Sequence, residues 1–229
     1  MIIDLHVQTT KGPSDSSLTP QQLLMEAERV GLQGVCLTEH GGAWDRHEFE
    51  RFAQSSPLAL FRGMEINTDL GHLAVFGLDC YISGIHRARE LRRAADSVGG
   101  FIIALHPFRR CFEGTSPRPT LPEAAHLPIF ELVDEIEVAN GACDSHENFF
   151  ALQVAKKLGM RGTGGSDAHS THGLGCCTTV FTRPIRTQEE LLQELRAKRF
   201  YPAHGLLDGG LIPYGDGLTE VDLDLMSGV

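Results

Sequence analysis

The sequence predicts an α/β protein built on a largely parallel sheet, and three observations carry that expectation. A strand-like run, a helix-period run and a second strand-like run fit within the first 40 residues, which is a βαβ unit. The alternation of short apolar β-prone runs with helical segments then continues through most of the chain. Most of the apolar runs also end on a histidine, a carboxylate or an asparagine, as strands do when their ends converge on one mouth.

Each element has a local reason. Residues 1–5 are apolar and β-prone, and a Gly/Pro/Ser/Asp loop runs on to Ser17. Thr19 is an N-cap with Pro20 at the first helical position, where a missing N–H costs nothing. Leu23, Leu24, Ala27 and Val30 follow at helical spacing, and Gly31 stops the helix. Gly34–Leu37 reads as a buried strand ending in Thr38-Glu39-His40. A helix over 44–53 is expected next, then a strand over 58–66 carrying Glu65, and another over 71–77 beginning beside His72. Ile85, Ala88, Leu91, Ala95 and Val98 share one helix face, and Gly99-Gly100 ends that helix. Residues 101–105 form a buried strand terminating in His106-Pro107, and 111–128 read as a loop with at most a short helix. A strand over 134–139 ends at Asn140-Gly141. Asp144 and Glu147 are spaced as a capping box for a helix through Leu158, with Lys156 and Lys157 suited to its C-terminal dipole. Gly159 stops it, a short strand follows, and the chain reaches Gly164-Gly165-Ser166-Asp167-Ala168-His169. A strand over 178–181 and a helix capped by Thr187 and Glu190, running to about Lys198, complete the body.

Bulk properties narrow the function. The 229 residues suffice for one α/β domain, and 41% hydrophobic with 22% charged residues is ordinary for a globular protein. No apolar run approaches the eighteen or so residues of a membrane span, and the opening lacks a signal peptide's basic and apolar regions. The six cysteines are scattered without a Cys-x-x-Cys pattern, so reduced thiols and a cytoplasmic location are expected. A net charge of −10 argues against long nucleic acid or an anionic membrane as partner. It leaves room for a phosphorylated small molecule where metals supply the positive charge. Residues 206–229 contain no Lys or Arg but hold Asp208, Asp216, Glu220, Asp222 and Asp224. This acidic tail is expected to be loosely ordered, to fold over the body or to form an interface, beside a single domain over 1–205.

The strand-end residues are His6, His40, Glu65, His106, Asn140, Asp167 and His169, with His72 near a strand start. Mixed imidazole and carboxylate donors suit Zn, Mn or Fe. Any one such histidine is an ordinary hydrogen-bonded residue more often than a ligand, but the set together points to a metal centre. His47, His86, His126, His146, His172 and His204 fall on helices or loops and are read as surface residues. Gly162-Thr163-Gly164-Gly165 lacks the Lys-Ser/Thr of a phosphate loop, and no Gly-x-Ser-x-Gly elbow occurs.

Taken in order, these segments resemble the PHP (polymerase and histidinol phosphatase) domain family over roughly residues 1–205. The motifs that carry the resemblance are Asp4-Leu5-His6-Val7-Gln8, the acidic loop around Asp15, and Thr38-Glu39-His40. Gly63-Met64-Glu65-Ile66 with Gly71-His72-Leu73, Ala104-Leu105-His106-Pro107-Phe108-Arg109, Glu137 to Gly141, and Gly165 to His169 complete them. The resemblance implies a distorted (β/α)7 barrel with two or three divalent metal ions at its mouth. One ion would take His6, Gln8, Glu65 and Asp167; a second Glu65, His72 and His106; a third Asp15, His40 and His169. Gln8 departs from the family's usual histidine, and a carboxamide is the weaker donor for a zinc-like metal. The implied activity is hydrolysis of a phosphate ester on a small molecule or short oligonucleotide. His106 and Asp167 would be essential to it, and Arg109 is a candidate phosphate clamp. Asp4, Glu39 and Asn140 could orient the histidines. Two alternatives stand beside that reading: metal-dependent hydrolysis of C–N or ester bonds, and a non-catalytic metal-binding or regulatory module.

Overall fold

A computed structural model describes residues 1–12, 15–42, 44–81, 84–113 and 118–215. Ten strands form one curled, mixed sheet wrapped by helices. In chain order they are β1 (Ile2–Val7), β2 (Gly34–Leu37), β3 (Ala59–Thr68), β4 (Gly71–Phe76), β5 (Phe101–Ala104), β6 (Glu135–Asn140), β7 (Thr163–Gly165), β8 (Cys177–Phe181), β9 (Phe200–His204) and β10 (Ile212–Pro213). The helices are α1 (Pro20–Val30), α2 (Arg46–Gln54), α3 (Ala88–Ser97), the short α4 (Leu121–Ala125), α5 (Ser145–Leu158) and α6 (Gln188–Arg196).

The strand order is β10-β9-β8-β1-β2-β3-β4-β5-β6-β7. β1, β2 and β3 run parallel, as do β5, β6 and β7. β4 is antiparallel to both β3 and β5, and this interrupts the expected parallel rhythm. The cause is local: only Asp69 and Leu70 separate β3 from β4, too few for a crossover and enough for a hairpin. Gly71, at φ 118°, turns the chain where a side chain would be strained. β8 and β9 are antiparallel as well. The sheet therefore combines parallel and antiparallel portions.

The curl brings the end of β7 back to β1. Asp167 N donates to His6 O at 2.8 Å and Gln8 N to Ala168 O at 3.1 Å. β8 pairs with the first half of β1, at Ile2 and Ile3, so the 167–168 segment takes the second half of the same strand. One end of the enclosed space is filled by apolar side chains. Ile3, Phe61, Phe76, Phe101 and Ile103 meet Phe181, Phe200, Leu191 and Leu195 there. The opposite end is polar.

α1, α5 and α6 carry the expected caps, Thr19 with Gln22, Asp144 with Glu147 and Thr187 with Glu190. α2 starts two residues later than expected because Asp45 caps it, leaving Trp44 outside with its indole N–H on Glu39. α3 stops at Ser97, and Val98, expected on its buried face, is exposed. β9 has no counterpart in the sequence expectations, since Pro202 argues against a strand. Its neighbour β10 lies within the segment read as tail. Tyr214 N donates to Pro202 O and Lys156 Nζ to Gly215 O, so residues 206–215 pack on the body. The remaining tail, 216–229, lies outside the described residues. Among the described residues no helix is long and apolar enough to cross a membrane.

Candidate metal centre

Six strands deliver the polar end. β1 carries His6 and leads into Gln8; β3 carries Glu65 and β4 carries His72. His106 follows β5, Asn140 ends β6, and Asp167 and His169 follow β7. His106 and Asp167 sit at φ 28° and 55°, in the left-handed region that non-glycine residues rarely occupy. Such strain persists where surrounding bonds over-determine the geometry. Here His106 N donates to Glu137 Oε2 (2.9 Å) and Asp167 N is fixed on β1.

Two groups of donors converge, His6 with His106 and Asp167, and Glu65 with His72 and His106. Glu65 faces both. Its Oε2 lies 3.0 Å from His6 Nε2 and accepts from Gln8 Nε2, while its Oε1 lies 2.5 Å from His72 Nδ1 and 3.6 Å from His106 Nε2. Asp167 Oδ1 is 3.4 Å from His6 Nε2, and His106 Nε2 is 3.9 Å from Asp167 Oδ2. Asp15, His40 and His169 form a looser, more exposed arrangement. Asp15 Oδ2 is 3.5 Å from His40 Nε2 and 3.9 Å from His169 Nε2, and these three are not among the converging groups. Arg109 donates to Asp167 Oδ2 and to Asn140 Oδ1 (3.0 Å).

The electrostatics follow from burial. Desolvation opposes the charge on Glu65, but His6 and the bonds from His106, His6 and His72 outweigh it and hold the carboxyl well below its usual range. Burial also opposes protonation of His6, and Asp167, Glu137 and Glu65 together raise it well above an ordinary imidazole. Two buried rings, His6 and His106, thus face the three carboxylates Glu65, Glu137 and Asp167, with Arg109 on only one of them. Such an excess of buried acceptors suits divalent cations. Gln8 Oε1 is buried without a partner, which also fits an oxygen donor waiting for a cation. By donor chemistry and by this orphaned atom, the residues fit a metal centre.

Glu137 is the functional residue that sequence reasoning missed. It accepts from His6 Nδ1 (3.0 Å), from His106 N and from Asn140 Nδ2 (2.9 Å), so one carboxylate orients two candidate ligands. Its signal was present: an acid inside the apolar run of β6 has to have buried partners. Asp4 holds the loop behind the site, accepting from Ser166 N and Gly175 N, and burial lifts its carboxyl to about 6. Glu39 gathers Thr9 and the Trp44 indole. The glycine pair before Asp167 allows close approach. A Cβ on Gly165 would lie 2.4 Å from His6 Cβ and 2.7 Å from Glu137 Oε1.

The cysteines are free thiols. Cys143 neighbours Arg109, and burial pushes its thiol up to about 12. Two histidines read as surface residues do more. His172 lines a cavity beside Asp167 and His169, and His204 packs edge-on against Tyr214.

Comparison with known proteins accords with this geometry. A family model described as PHP-associated matches residues 145–200. A probable phosphatase of Caldicellulosiruptor bescii is 27% identical over 182 residues, covering 69% of this chain and 75% of that protein. Together they support a PHP-type family for this chain. The fold recurs in a presumed metal-dependent phosphoesterase of Bifidobacterium adolescentis (17% identity, TM-score 0.59, 84% of this chain and 95% of that one). It recurs also in an amidohydrolase of Chromobacterium violaceum solved with sulfate and no metal (17% identity, TM-score 0.61, 86% and 96%).

Proposed function

We propose that the protein is a metal-dependent hydrolase of phosphate esters. The observation that carries the reading is Glu65, whose two oxygens face two separate groups of histidines inside a pocket with excess negative charge. A phosphatase and a phosphoesterase among the similar proteins support it. The amidohydrolase among the similar structures supports a second reading, metal-dependent hydrolysis of a C–N bond. The curled sheet, with β7 returning to β1, supports the distorted barrel of the family.

His6, Gln8, Glu65 and Asp167 would hold one ion; Glu65, His72 and His106 a second; and Asp15, His40 and His169 a third, from Zn, Mn or Fe. Such ions supply an activated water and offset charge on the phosphoryl oxygens. The chain does the rest. Glu137 fixes the ring of His6 and the backbone of His106. Arg109, anchored by Asn140 and Asp167, lines the cavity beside His106 and would donate from its guanidinium to phosphate oxygens there. The substrate is a phosphorylated small molecule or a short oligonucleotide.

Elemental analysis of protein purified without chelator or histidine tag, followed by a phosphoester assay with and without added Mn or Zn, tests the reading. Bound transition metal and metal-restored turnover are expected. Protein that takes up no metal and hydrolyses no phosphoester overturns it in favour of a binding module.

A further inference from the structure

The two donor groups that Glu65 joins are not alike. On the Oε2 side of Glu65 stand His6, Gln8 and Asp167, an imidazole among oxygen donors. His6 Nδ1 is engaged by Glu137, so Nε2 is the single ring nitrogen that His6 offers. On the Oε1 side stand His72 and His106, two imidazoles with a carboxylate oxygen. His106 also approaches Asp167, at 3.9 Å. Even counted on both sides, it leaves the first group the richer in oxygen.

Gln8 makes much of that difference, and its neighbours fix how its amide is turned. Nε2 donates to Glu65 Oε2, and the opposite orientation would set two acceptors against each other. Oε1 is therefore the atom left buried without a partner. The side chain cannot withdraw to water, because Gln8 is 1% exposed and its backbone is held on both sides. Gln8 N donates to Ala168 O (3.1 Å), and Gln8 O accepts from Ser16 Oγ (2.8 Å). A carbonyl oxygen buried in this way is a ready donor to a hard cation.

We propose that the centre sorts two different metals, a hard ion such as Mn on the Gln8 side and Zn on the His72 side. The inference rests on the metal-dependent reading above and assigns an ion to each donor group. Zn binds most nitrogen and oxygen sites more tightly than Mn, so sorting depends on donor type and on supply. Imidazoles widen the advantage of Zn, and carboxylate and carbonyl oxygens narrow it. Gln8, Glu65 and Asp167 bring three oxygens to one side, where the other has only Glu65. An imidazole in place of Gln8 would move the first group toward the donor balance of the second.

The test reads bound metal and needs no turnover. Untagged, metal-stripped chain is equilibrated with excess Mn while buffered Zn is raised in steps. Elemental analysis and the electron paramagnetic resonance of bound Mn follow the exchange. In the wild type part of the Mn should resist displacement, giving a range of Zn over which both ions are held together. Gln8→His should lose that resistant Mn and hold Zn in its place. Gln8→Met, close in length but without the oxygen, should lose the resistant Mn as well, and it serves if the histidine variant fails to fold. Asp15, His40 and His169 are unaltered by either substitution, so the difference from wild type reports the Gln8 side alone. Wild type that passes from Mn to Zn in a single step, or variants that retain the resistant Mn, overturn the sorting and leave the metal-dependent reading standing. A chain that takes up neither ion overturns both.

Discussion

The two ends of the curled sheet are built from the same strands and differ in almost everything else. At one end β1 and β5 contribute Ile3, Phe101 and Ile103 to an apolar plug completed by Phe181, Phe200 and α6. At the other, the same two strands lead to His6, Gln8 and His106, joined by Glu65, Glu137 and Asp167, all buried. The first end obeys the preferences of its residues, with apolar side chains packed on one another. The second has buried charges and two left-handed non-glycine backbones. The contrast teaches that stability and chemistry are segregated along the strand axis: one end can tolerate the cost of the other.

That segregation can be broken from either side. Asp167→Ala or His106→Ala should reduce phosphoester turnover by more than about 100-fold, since even outer partners of metal ligands are worth 10–100-fold. The CD spectrum and melting cooperativity should be retained; wild-type turnover by either variant would remove both from the mechanism. Phe200→Ala, at the plug, should lower unfolding free energy by about 3–5 kcal/mol in denaturant titrations. Its metal content at low temperature should stay at the wild-type value, and loss of metal without loss of stability would show that the ends are coupled.

Asp4 gives a pH test. Its carboxyl is lifted from 3.8 to about 6 by complete burial, so between those values the folded chain binds a proton that the unfolded chain releases. Stability from this group is therefore greatest below the lower value, falls as pH rises through the window, and is level above it. The fall amounts to about 3 kcal/mol. The wild type minus Asp4→Asn difference in denaturation free energy, measured from pH 4 to 7, isolates it; a difference flat across that range refutes the assignment. Gly165→Ala should cost about 1–3 kcal/mol by overpacking against His6 and Glu137, with a loss of metal affinity alongside. Unaltered metal affinity there would mean that His6 has room to move.

Much of this was legible because local chemistry is local. Thr19, Asp144 and Thr187 each cap the helix that follows, and the strand-end histidines fall near one another as their positions in the alternation imply. Direction was harder. β4 was expected as a strand, but its antiparallel course was written only in the two-residue link Asp69-Leu70. β9 was hidden by Pro202, which tolerates its place because its carbonyl does the pairing with Tyr214. Glu137 has no legible role in the sequence, since an acid in an apolar run reveals its need for partners but not which ones. The looser placement of Asp15, His40 and His169 depends on loop geometry that no periodicity encodes.

The seam between β7 and β1 has a consequence for how the protein is made. It joins residues 6–8 to residues 167–168, and the ligands themselves are the stitches. A ribosome must release most of the chain before His6 can meet Asp167, so the growing polypeptide carries its first imidazole for a long interval without the partner that completes the centre. Completion of the centre is thereby deferred to the last stage of folding, when long-range closure is reached. A chain that ends short of Asp167 cannot complete the centre.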